Sequence, residues 1–126
     1  MNLHEYQGKN LLNDFNVSIQ RGYVADSPKE AVECAKKLSD ETGTSIFVIK
    51  AQIHAGGRGK GGGVRIAKSL DEVEKISSEI IGMKLITPQT SKEGKLVRKV
   101  LIAEDVYYNG NSDRKEFYIS VLLNRS

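Results

Sequence analysis

Cysteine and long apolar runs are scarce or missing in this chain of 126 residues, and each shortage excludes something. The single cysteine, Cys34, rules out an internal disulfide and a thiolate metal cluster, and is consistent with a reducing compartment. No stretch approaches the ~18 consecutive apolar residues of a membrane-crossing helix. The opening residues "MNLHEYQ" lack a basic region followed by an apolar one. The expectation is therefore a cytoplasmic protein with no membrane segment. Net charge is only +3, an excess that suits anionic small molecules but is too slight and too dispersed for a nucleic-acid binder. His4 and His54 stand apart from any cysteine or acidic cluster at ligand spacing, which argues against metal binding by either. An apolar fraction of 39% is enough to bury the core of a single domain.

What the chain does have is punctuation. "LHEYQGKNLLNDF" sets Leu3, Tyr6, Leu11, Leu12 and Phe15 roughly on one helical face, weakened by Gly8. "VSIQRGYVA" carries strand-forming residues. Ser27, Pro28 and Glu30 then announce a helix through a capping box and a first-turn proline, and Gly43 should end it. "SIFVIK" reads as a buried strand that delivers Lys50 to a glycine-rich loop, and "GVRIA" as the strand beyond. Ser69 and Glu72 repeat the capping box, Val73, Ile76 and Ile80 form an apolar stripe, and Gly82 closes that helix. "MKLITPQ" is expected as a short strand, Leu96 to Val106 as one long strand, and "FYISVLLNR" as a final strand. The last has no partner after it, so its apolar side chains need covering from elsewhere. Sequence alone thus suggests the front piece of a larger protein.

The loop "HAGGRGKGGGV" carries the chemistry. Gly57 to Gly62 satisfy G-x-G-x-x-G, but the dinucleotide fingerprint needs a helix directly after the loop, whereas "GVRIAKS" alternates with period two. The Walker A pattern needs Ser or Thr after its lysine, and Lys60 is followed by Gly61. Strand, glycine turn, strand remains: a hairpin tip whose backbone N–H groups, with Arg58 and Lys60, suit phosphates, or else a flexible hairpin without a ligand. Lys50 at a strand end is either a point charge for a phosphate oxygen or a snorkelling lysine. Glu104, after the apolar run "VLIA", is either a strand-end charge or an acceptor for an adenine amino group or ribose hydroxyl.

These residues resemble the β-subunit family of ADP-forming succinyl-CoA synthetases, which are ATP-grasp proteins. "MNLHEYQGKNLL" is similar to that family's opening segment, "VIKAQIHAGGRGKGGGV" to its nucleotide flap, and "LIAEDVYYNGNSDRKEFYISVLLNRS" to its hinge and following strand. The resemblance covers essentially the whole chain. It implies an α/β (α+β) ATP-grasp fold: the first subdomain plus the beginning of the second, with a mixed sheet and two capped helices. Residues 1–19 would form an N-terminal helical segment, 20–100 the first subdomain with its flap, and 101–126 the hinge and first strands of the second. It implies nucleotide contacts by Lys50, Gly57, Arg58, Gly59, Glu104, Tyr107 and Glu116, with ATP or ADP as ligand and Mg²⁺ held by residues outside this chain. It also implies a separate α subunit as partner, carrying a phosphohistidine, and reversible formation of succinyl-CoA, ADP and phosphate from succinate, CoA and ATP. The piece by itself is expected to bind nucleotide weakly and to be inactive. Rival expectations are a malate-CoA ligase, a non-catalytic nucleotide-binding module, and GDP in place of ADP.

Overall fold

A computed structural model describes residues 2–107 and 112–125. In chain order the elements are α1 (Glu5–Asp14), β1 (Gly22–Ala25), α2 (Pro28–Thr42), β2 (Phe47–Ala51), β3 (Val64–Ala67), α3 (Leu70–Ile80), β4 (Lys84–Leu85), β5 (Lys95–Leu96) and β6 (Val100–Glu104). Four strands form a sheet in the order β1-β6-β2-β3, and β4 pairs with β5 in a small ribbon. Every ladder is antiparallel, where a mixed sheet was expected.

Local signals fixed the two long helices. Ser27 Oγ accepts the Glu30 N–H at 3.2 Å, and Ser69 Oγ accepts the Glu72 N–H at the same distance. Each box closes one residue early: Glu30 accepts from the Asp26 N–H and Glu72 from the Lys68 N–H, both just before the cap. Gly43 ends α2 in the left-handed region at φ 73°, its N–H donating to Ser39 O. Both helices pack on one face of the sheet. Ala31, Ala35 and Leu38 from α2 and Val73, Ile76 and Ile80 from α3 close over Phe47, Ile49 and Ile102. Each fully buried Leu or Ile in this core contributes about 2 kcal/mol.

Three expectations about strands and faces need correction. Leu96 to Val106 is not one strand. The burial of Val97, exposure of Arg98 and Lys99, and burial of Val100 follow a period of three, which a pleated strand cannot continue, so the chain breaks between β5 and β6. The final strand is not formed either: 117–125 carry no helix or strand, and Phe117, Tyr118 and Leu122 are each more than 80% exposed. Without a neighbouring strand to pair its N–H and C=O groups, that segment has no ladder to join. Helix α1 forms as read, yet none of its residues is fully buried, and Leu11, Leu12 and Phe15 lie open to solvent. Polar contacts described below hold α1 instead.

The alternation of β2 decides where the site lies. Phe47, Ile49 and Ala51 point into the core, so Val48 and Lys50 face the other side of the sheet, where α1 lies.

Candidate functional site

Between β2 and β3 the flap folds back on itself. Ala51 N–H donates to Gly63 O at 2.7 Å, and the Arg58 carbonyl accepts from both Gly61 and Gly63. Lys60 N–H donates to Gly57 O and Gly62 N–H to Gly59 O, so the tip is a short series of tight turns. The N–H groups of Gly57, Arg58 and Gly59 find no acceptor among the described residues. Three successive backbone donors left open, with Gly57 at φ 74°, form the concave arrangement that suits an anion. These are the three flap residues singled out from the sequence. They line a cleft of about 610 Å³ together with Glu5, His54, Val64 and Gln89.

Beside the flap, cations gather around one carboxylate. Glu5 Oε1 accepts from Lys50 Nζ at 3.1 Å, and Glu5 Oε2 accepts from Arg58 Nη1 at 2.7 Å. Lys9 Nζ lies 3.5 Å from the same carboxylate. Arg58 Nη1 also donates to Ala51 O at 2.9 Å, which ties the flap side chain to the end of β2. Burial opposes ionisation of Glu5, but the charges of Lys50, Arg58 and Lys9 outweigh it and bring the pKa down to about 2. The Lys9 pKa is lowered too, by burial and then by repulsion from Lys50 despite the pull of Glu5, which for a lysine disfavours the charged form. The cluster therefore favours the charged form of Glu5 and disfavours that of Lys9. Lys50 is thus no solvent-seeking strand end, since its side chain is only 18% exposed and is doubly bonded.

Glu104 closes β6. Its Oε1 accepts from the Arg21 N–H at 2.9 Å, and its own N–H donates to Arg21 O. Gln20 connects it to the cations: the Gln20 amide donates to Glu104 O, while its Oε1 accepts from Lys50 at 3.0 Å and Lys9 at 2.9 Å. Lys50, Arg58 and Glu104 are therefore joined through Glu5 and Gln20. Tyr107 follows β6, about half exposed, with its N–H on Asp105 Oδ1 and Arg114 5.5 Å over its ring. Glu116 is exposed, and no hydrogen bond or ion pair joins it to the others. His4 and His54 stack on each other at 3.8 Å. Burial first, then the charges of His54 and Lys99, lowers the His4 pKa. Among the described residues no three His, Cys, Asp or Glu side chains converge as a metal site would require.

A model of the ATP-grasp domain family matches residues 2–126. The chain belongs to the ATP-grasp family. Among curated ATP-grasp relatives it is 70% identical over its whole length to the succinate–CoA ligase [ADP-forming] subunit beta of Flavobacterium psychrophilum, covering 32% of that protein. It is 55% identical to the protein of the same description from Pelodictyon phaeoclathratiforme, covering 31% of it. The chain thus spans about a third of the length of these relatives. A solved structure, phosphoribosylamine–glycine ligase from Thermotoga maritima, superposes with a TM-score of 0.57 at 29% identity, covering 84% of this chain and 23% of that one. Two residues central to this charged cluster escaped the sequence reading. Glu5 carried a weak signal, an acidic residue in a first helical turn with Lys9 four positions on. Gln20 carried none.

Proposed function

We propose that this chain supplies the phosphate-binding flap and hinge of a succinate–CoA ligase β subunit, as the front third of a longer polypeptide. The observation that carries the reading is the row of open N–H groups at Gly57, Arg58 and Gly59 beside the side chains of Lys50 and Arg58. Support comes from the ATP-grasp match and from relatives whose printed name is an ADP-forming succinate–CoA ligase subunit beta. In this reading the flap N–H groups and the two cations stabilise the phosphate oxygens of ATP, each charge-assisted hydrogen bond contributing about 1.5–3 kcal/mol net of the water it replaces. The glycines let the backbone approach, and fixed donors hold the terminal phosphoryl group for transfer without reorganising. Glu104, with Tyr107 and Glu116 beyond the hinge, contacts the base and ribose end of the nucleotide. Among the described residues no group of three His, Cys, Asp or Glu converges as a Mg²⁺ ion would need, and in this reading its ligands lie in the remainder of the polypeptide. Succinate, CoA and an α subunit complete the reversible reaction, in the cytoplasm.

The test is titration calorimetry of Mg-ATP into the full-length subunit with its α partner. Lys50→Ala is expected to raise the Kd about tenfold, the loss of one charge-assisted contact. An unchanged Kd overturns the reading.

A further inference from the structure

Glu5 has no role in the reading above, yet its carboxylate is the point on which the cations meet. Its two oxygens serve different elements. Oε1 receives Lys50 from β2 at 3.1 Å, and Oε2 receives Arg58 from the flap at 2.7 Å. The carboxylate is itself anchored. Gln52, only 4% exposed, donates to Glu5 Oε2 at 3.3 Å, and its own Oε1 accepts the N–H of Tyr6, the next residue of α1, at 3.2 Å. The first turn of α1 is thereby fixed to the end of β2.

We propose that Glu5 is a positioning residue of the nucleotide site, holding Lys50 and Arg58 at a set separation so that their remaining donors and the open flap N–H groups address one phosphate chain. The proposal rests on the phosphate reading of that site. Like charges this close repel by about 1–4 kcal/mol per pair at partly exposed positions. Without the carboxylate, Lys9, Lys50 and Arg58 would separate toward solvent, and Arg58 would take the flap with it. Holding them does not exhaust them. The Lys50 ammonium has three N–H groups and uses two, and the five of Arg58 are engaged only at Nη1. Three cations around one carboxylate also leave the cluster positive, so an incoming polyphosphate is still attracted.

A competing role has the opposite sign. Were Glu5 a stand-in for the phosphates, expelled when they arrive, removing its charge would tighten nucleotide binding. Simple Coulomb reasoning, which counts only a deleted negative charge, gives the same direction. A positioning role requires weaker binding.

The experiment compares Glu5→Gln with the parent in the full-length subunit and its α partner, by titration with Mg-ATP and by steady-state kinetics. The Kd and KM for ATP are expected to rise about tenfold, with the KM values for acid and CoA unchanged and kcat within about twofold. A general structural defect would instead lower kcat through the active fraction and leave KM for ATP alone. Glu5→Asp keeps the charge on a shorter stem and is expected to show an intermediate rise of a few-fold. It carries the test if the glutamine variant does not fold. An unchanged or lower Kd for ATP in the variant assayed overturns the proposal. Lys50→Ala run alongside separates the two ideas: if it weakens ATP binding while Glu5→Gln does not, the role of Glu5 alone is wrong, and if neither does, the phosphate reading falls with it.

Discussion

Replacing Glu5 by glutamine should destabilise this chain by an amount that depends on pH, and the dependence identifies the cause. The folded-state pKa of Glu5 is about 2 against an ordinary 4.5. That difference corresponds to about 3 kcal/mol favouring the folded state when the carboxylate is ionised in both states. The Glu5 side chain is 21% exposed, so solvent screening reduces that figure. A net effect of about 2 kcal/mol at pH 7 is the reasonable figure. The sign follows from the depressed pKa. The contribution is fully present above the unfolded value, is lost as pH falls, and is gone once the folded carboxylate protonates. Denaturant unfolding of the two proteins across this range provides the assay. The gap between parent and Glu5→Gln should be about 2 kcal/mol at neutral pH and should close between about pH 5 and about pH 2. Other carboxylates titrate in both proteins and cancel in the difference. A gap that persists unchanged to low pH would mean that glutamine simply packs badly, and no gap at neutral pH would mean that the cations do not hold the carboxylate; either result refutes the reasoning.

The open flap makes a second prediction: without nucleotide the amides of Gly57, Arg58 and Gly59 should exchange hydrogen far faster than those of β2 and β6, and uniformly slow exchange across the tip would contradict it. Gly61→Ala should cost about 2 kcal/mol in urea unfolding, whereas Gly59→Ala should stay within about 0.5 kcal/mol. A Cβ at Gly61 would lie 2.3 Å from Ile86 O, while one at Gly59 meets nothing within 4 Å; equal losses would mean the flap does not rest on Ile86. Burial, reinforced by Glu30, pushes the Cys34 thiol up to about 11, so alkylation near pH 8 should run well below the rate of a free thiol and rise steeply only towards pH 11; rapid neutral-pH labelling would show the thiol to be exposed.

Much of this fold was legible wherever structure is decided within a few residues. Ser27 with Pro28, Ser69 with Glu72 and the left-handed Gly43 mark helix ends by local hydrogen bonds and φ values, and they do so in the structure. The strand ending at Lys50 and the turn after it were equally readable, because alternation and glycine density are local too. What failed was pairing. Whether 96–106 forms one strand or two depends on β4 and the core beneath Val97, and whether 117–125 forms any strand depends on a neighbour. The heart of the site lies beyond reach for the same reason. Glu5 meets Lys50 and Arg58 across 45 and 53 residues of sequence, and Gln20 meets Glu104 across 84. No spacing pattern encodes such contacts.

The glycine loop, one feature in the sequence, divides into parts with different duties. Gly57 takes a positive φ, and a Cβ there would press on Pro88 at 2.9 Å; Gly61 lies still closer to the backbone of Ile86. Those glycines let the flap settle onto the segment after β4, so their smallness serves the protein's own packing. Around Gly59 and Gly62, by contrast, a Cβ would meet nothing within 4 Å, which leaves room for a partner from outside. A loop of that density is commonly taken as flexible throughout, yet this one is seated at Gly57 and Gly61 and tied at Arg58 by Glu5 and Ala51. Fixing the loop before the ligand arrives lowers the ordering cost of binding, and aiming its spare donors in advance makes each of them more effective on an anion. The charged cluster and the glycines thus act on one requirement, a flap whose shape is set while its N–H groups stay free.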